Sequence, residues 1–173
     1  MSKYSVNTRL LHWISALLII GLFFLGLWMR SLDYYSGWYQ TAPNIHKQIG
    51  MLLLVLMVLR LLWRIKNPAM PALNTHKAWE IKLGHVVHSV LYMAVFIILF
   101  SGYFISTADN KGIEILGLFE VPALITAIEH QEDIAGVIHE YVAYGLMAFV
   151  ALHIAGALKH HFVDKDTTIK RML

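Results

Sequence analysis

Four long apolar runs divide this chain: about Leu10 to Met29, Ile45 to Trp63, Gly84 to Ser106 and Ile134 to Leu158. Each is close to the roughly 20 residues a helix needs to cross the hydrocarbon of a bilayer. Amphipathic rings sit where such helices meet headgroups. Trp28, Trp38 and Tyr39 flank the first connection, Trp63 closes the second run, and Tyr103 lies near the end of the third. Pro68 and Pro71, with Asn67 and Asn74, break the chain firmly between the second and third runs. The pattern predicts an all-α fold, a transmembrane four-helix bundle forming one membrane-embedded domain over residues 1–173, without internal repeat or low-complexity tract. The third connection is long, about 27 residues, and its stretch Gly112 to Phe119 is too apolar for plain disorder. Loops beyond about 12–15 residues are usually functional or locally ordered.

Charge sets the orientation. Lys3 and Arg9 precede the first run, while Arg64, Lys66, Lys77 and Lys82 stand against Glu80 in the second connection. The tail carries Lys159, Lys165, Lys170 and Arg171 against Asp164 and Asp166. The third connection is the reverse, with Asp109, Glu114, Glu120, Glu129, Glu132 and Asp133 around the single Lys111. The positive-inside rule then places both termini and the second connection in the cytoplasm, and the first and third connections outside. The first run superficially resembles a signal peptide. It has no small-residue cleavage site and is long enough to span, so an uncleaved helix is expected.

Composition agrees with the membrane class: 58% of residues are hydrophobic and 14% charged, where soluble domains carry about 45–50% and 25%. The net charge of +3 matters less than its distribution, and no nucleic-acid partner is expected. No cysteine is present, which removes disulfides, thiolate-ligated clusters, thiolate haem ligation and covalent haem attachment.

The candidate chemistry lies in histidines. His139 and His153 are fourteen residues apart on the fourth run. That spacing totals about 1400°, roughly 40° short of four turns, so both rings leave nearly the same face, about 21 Å apart along the axis. Imidazoles are rare inside spans and need a reason to be there. His12 opens the first run and His46 the second. The predicted topology puts His12 level with His153 on the cytoplasmic side, and His46 level with His139 on the outer side. Two bis-imidazole centres in an apolar setting suggest two haems. Small residues near them leave room for a flat ring: Gly50 and Ala157 lie four after His46 and His153, and Gly136 three before His139. Arg9, Lys47 and Arg60 could pair with haem propionates; lipid headgroups or snorkelling are their alternatives. Histidines also bridge helices and relay protons, but four at two matched levels with no intramembrane carboxylate favour haem. Zinc or copper would be left with unfilled positions in two separated pairs.

His160 ends the fourth run seven residues after His153, on the same side; it could donate to a quinone carbonyl or anchor at the interface. His85 and His88 could line a site near the inner pair, though the headgroups are the favoured place, and His76 and His130 are expected on the surface.

Several motifs together resemble the prokaryotic cytochrome b561 family. They are Arg9-Leu-Leu-His12-Trp13, His46-Lys-Gln-Ile-Gly50, Val58-Leu-Arg60-Leu-Leu-Trp-Arg64, His88-Ser-Val-Leu-Tyr92, Ser101-Gly102-Tyr103 and Ala157-Leu-Lys-His160-His161-Phe162. The likeness runs over essentially the whole chain. It implies two haems b per chain, ligated by His12 with His153 and by His46 with His139, in a bacterial inner-membrane cytochrome. It also implies ubiquinone or menaquinone as the cytoplasmic-side partner, with His160 as the residue matching a quinone contact, and superoxide or a periplasmic redox protein as outer donor. The acidic third connection departs from a superoxide site, which should attract anions. A haem-bearing anchor subunit of a larger dehydrogenase or hydrogenase complex is the alternative function, and a haem-free transporter or assembly factor a third.

Overall fold

The computed structural model describes residues 3–125 and 128–173. Four long helices appear where the apolar runs predict them: α1 (Val6–Arg30), α2 (Thr41–Lys66), α3 (Ala78–Ser106) and α4 (Gln131–Phe162). All four are long and apolar enough to cross a membrane. Each outruns its apolar stretch at one or both ends because polar residues suit the headgroup depth and supply the caps. Ser5 accepts a hydrogen bond from the Thr8 amide at the start of α1, and Glu80 accepts one from the Lys77 amide at the start of α3, each satisfying a donor the helix cannot. Glu132 and Asp133 lie in the first turn of α4, where the helix dipole favours negative charge. Leu17, Phe24, Val55, Met93 and many other large apolar side chains face outward, the surface that lipid must cover.

The packing is uneven. α1 lies against α2, α3 against α4, and α2 against α3. A core of Leu53, Met57, Val95, Leu99 and Leu146 joins α2, α3 and α4 at mid-depth. Backbone approach of α4 to α1 and α2 is slight among the described residues, and long side chains link them. Phe23 meets Tyr144 edge-on at 6.0 Å, and Arg30 pairs with Glu140.

The N-terminal segment and the tail lie together at one end. The Tyr4 amide donates to the Arg171 carbonyl at 3.0 Å, and Trp13 Nε1 donates to the Met172 carbonyl at 2.8 Å. This is the end for which the lysine and arginine bias predicts a cytoplasmic location.

The third connection adds to the all-helical expectation a two-stranded antiparallel hairpin, β1 (Ile113–Ile115) and β2 (Phe119–Val121). Leu116 and Gly117 turn it with positive φ, 52° and 69°, the conformation a tight hairpin turn needs. Ile113 and Ile115 bury their side chains against Tyr103, Met51 and Phe104. Gln48 accepts the Leu116 amide at 3.0 Å. The apolar stretch is therefore a cap over the start of α2 and the end of α3, remote from the termini, with its carboxylates exposed.

Candidate functional site

The α4 ladder meets one histidine from each of two other helices. His12 of α1 faces His153 with ring centres 6.2 Å apart and planes inclined at 60°. His46 of α2 faces His139 at 6.2 Å and 66°. These are the pairs that depth predicts, and they span the two helix pairs, α1 with α4 and α2 with α4, whose backbones do not approach closely. Two imidazoles on opposite sides of one metal, each about 2 Å from it, put their ring centres roughly 6 Å apart. Both pairs hold that separation.

The surroundings of the outer pair fit a ligating role. Ser101 Oγ donates to the Ile98 carbonyl at 3.0 Å, so its hydrogen is committed. It lies 3.1 Å from His139 Nδ1 and can only accept there. His139 therefore carries its proton on Nδ1 and leaves Nε2 free, the orientation outer-sphere partners impose on metal-binding histidines. His46 Nδ1 is buried with no protein partner; a buried donor or acceptor left so is costly unless a further group completes the site. Two glycines that the sequence reading missed make the approach possible. A Cβ on Gly26 would lie 3.4 Å from His46 Cε1, and one on Gly102 would lie 3.1 Å from His139 Cε1. Neither is at a fixed helical spacing from its histidine in the chain, so no sequence period could reveal them. Gly50 and Gly136 border open space, with nothing within 4 Å of an added Cβ, as the expected room for a flat ring requires.

The inner pair is more crowded. Arg60 of α2 donates to His12 Nδ1 at 2.9 Å and to Ser15 Oγ, itself a wholly buried residue. Arg60 and Arg64 both lie over the Tyr92 ring, at 5.4 and 5.2 Å. Of its two expected places His88 takes the one near the inner pair and not the favoured one at the headgroups: its ring centre lies 5.1 Å from that of His153, because one turn beyond His85 carries it deeper and inward. Arg60 is thus beside the inner pair, whereas Arg9, one turn before His12 on α1, binds the Leu173 backbone oxygen. Lys47 is half-buried next to His46 with no hydrogen-bond partner among the described residues.

Below the inner pair the tail folds onto the second connection. His160 Nδ1 donates to Asp164 at 2.7 Å, and Lys159 bridges Asp164 and Glu80. His76, expected on the surface, is instead largely buried: its Nε2 donates to Asp166 at 2.9 Å, and its ring lies 4.2 Å from that of His160. The tail's return, invisible to local sequence reading, covers it. His130 remains exposed.

Comparisons with known proteins bear on this arrangement. The family model described as Prokaryotic cytochrome b561 matches residues 3–173. Cytochrome b561 homolog 2 of Escherichia coli (strain K12) is 44% identical over 171 residues, covering 99% of this chain and 91% of that protein. Cytochrome b561 homolog 1 of the same organism is 26% identical over 174 residues, 100% and 98% of the two chains. Probable superoxide oxidase CybB of Yersinia pestis is 29% identical over 175 residues, 99% and 96% of the two.

The tail network has a pH signature. The hydrogen bond from Lys159, and then that from His160, hold the Asp164 carboxyl below its ordinary 3.8. A depressed carboxyl adds stability that is fully present above the unfolded value and lost as pH falls through the folded one. Asp164→Asn should therefore lower Tm at neutral pH. The difference in Tm between the two proteins, followed by circular dichroism, should shrink below pH 3.8 and vanish further down. Since Asp164 is solvent-accessible, the effect is small. A difference that stays constant with pH would show the ion pair to be irrelevant.

Proposed function

The chain belongs to the prokaryotic cytochrome b561 family, and from that membership we propose that it passes electrons through two haems b, stacked across the membrane, between an outer donor and a quinone at its inner end. Membership and the four spans make it a multi-pass electron-transfer cytochrome of the bacterial inner membrane, with haem b as the cofactor the family implies. When bound, haem b supplies reversible one-electron exchange at its iron.

The observation that carries the reading is the repeated 6.2 Å separation of two histidine pairs on helices that otherwise stand apart. His46 and His139 hold the outer group, and His12 and His153 the inner one. Ser101 fixes the His139 tautomer, and Gly26 and Gly102 let the ligand rings sit close to α1 and α3. Arg60 restrains His12 through Nδ1; ligation through Nε2 needs the proton on Nδ1, so Arg60 must release that contact. A propionate is an acceptor to which its guanidinium can turn. Lys47 stands in the corresponding place outside, while Arg9 is occupied by the tail.

His160 is the quinone residue in this reading. With its Nδ1–H on Asp164, the ring can donate through Nε2 to a quinone oxygen when protonated and accept a proton there when neutral. At the outer end, Asp109, Glu114, Glu120, Glu129, Glu132 and Asp133 all lie exposed, and Lys111 pairs only with Asp109. That field attracts a cationic protein donor and repels an anion. Superoxide is the second reading, supported by the name of the Yersinia pestis relative. The relatives matched along nearly their whole lengths bear the names of cytochromes and an oxidase, which lends nothing to an anchor subunit.

Three outcomes test this. A pyridine haemochrome assay should return two haems b per chain, and replacing any one of His12, His46, His139 or His153 by alanine should remove one. Two haems retained in any of these variants would reject that ligand. His160→Gln should slow quinone reduction at least about tenfold with the reduced-minus-oxidised spectrum intact; an unchanged rate would remove His160 from the quinone site. A superoxide flux with quinone should drive the purified protein slowly, and faster as ionic strength rises and screens the acidic face. Rapid turnover at low salt would instead assign superoxide as the donor.

A further inference from the structure

His76, His160 and Asp166 converge from three separate segments: the second connection, the end of α4 and the tail. Their ligand atoms lie within 4.8 Å of one another. His76 Nε2 is 2.9 Å and His160 Nδ1 3.8 Å from the same Asp166 Oδ2. Tetrahedral zinc, with bonds of about 2.0–2.1 Å, sets its ligand atoms about 3.3 Å apart, between these two distances. The side chains are sheltered, with exposures of 15%, 15% and 3%.

Charge calls for a cation here as well. Glu80, Asp164 and Asp166 gather around the two imidazoles, and Lys159 is the one cation bonded to them among the described residues. With both rings neutral the cluster is short of positive charge. Thr75 and the Thr168 amide already hydrogen-bond Asp166, so its carboxylate is oriented in advance, as second partners orient a metal ligand.

We propose that His76, His160 and Asp166 form a zinc site with one position left to water. Two imidazoles and a carboxylate suit zinc and not magnesium or calcium, which take oxygen ligands. Each neutral ring moves its proton to the far nitrogen to free the ligating one, so no redox change or proton release accompanies binding. An ion there ties the tail to the second connection and takes His160 Nδ1 away from Asp164. The proposal does not depend on the quinone reading, because its measurement is metal retained per chain.

The test uses the haem-loaded protein in detergent, stripped of adventitious metal and titrated with zinc against a chromophoric chelator. One zinc per chain is expected. His76→Gln, which keeps a donor to Asp166, should weaken binding at least about tenfold, and Asp166→Asn likewise. X-ray absorption at the zinc edge of the unaltered protein should show two imidazole nitrogens with oxygen ligands. That spectrum decides the matter if the variants fold poorly. No zinc held against the chelator, full affinity in His76→Gln, or a shell without imidazole would each overturn the site.

Discussion

Two facing pairs of imidazoles govern the rest of the structure. Backbone approach of α4 to α1 and α2 is slight among the described residues, and lipid supplies no partner for a polar group at that depth. What joins α4 to these two helices at each level is a pair of imidazoles, 6.2 Å apart at both levels. Polar rings at that depth are tolerated only with partners. A helix packed flush against α1 and α2 would leave no place for a group between the rings. The mid-depth core of Leu53, Met57, Val95, Leu99 and Leu146 packs α2, α3 and α4 together between the two levels.

The two levels are finished differently. At one level Ser101 Oγ lies 3.1 Å from His139 Nδ1, and glycines at positions 26 and 102 let neighbouring helices lie against the His46 and His139 rings. The hairpin seals this end over Met51 and Tyr103 while presenting its carboxylates to solvent. Inside, Arg60 and His88 crowd the pair, and a polar network lies just beyond it. Lys159 and His160 end α4 and reach the tail and the second connection at once. The inner histidine pair is thereby adjacent to a network of titratable side chains. The other end presents exposed carboxylates among the described residues.

Much of this was legible in the linear chain because two strong rules apply. Length and hydropathy identify spans, since lipid demands complete internal hydrogen bonding, and helical period with charge bias gives depth and face. Those rules alone pair His12 with His153 and His46 with His139. They fail where the information is a contact between distant segments. His76 reads as a surface loop residue until the tail folds over it, His88 as an interfacial one until α3 is packed. Arg9 reads as a partner for a propionate or a headgroup until the tail's backbone oxygen takes it.

The sequence by itself determined the number of spans, their order, and the four histidines at two depths, because each follows from local apolar length and the 3.6-residue period. Only the tertiary structure decided which helices touch and which stay apart. It alone placed Gly26 and Gly102 against the rings, fixed the His139 proton through Ser101, and gathered His76, His160 and Asp166. Those features depend on distances between segments far apart in the chain, set by how side chains fill the space between helices, and no periodicity encodes them.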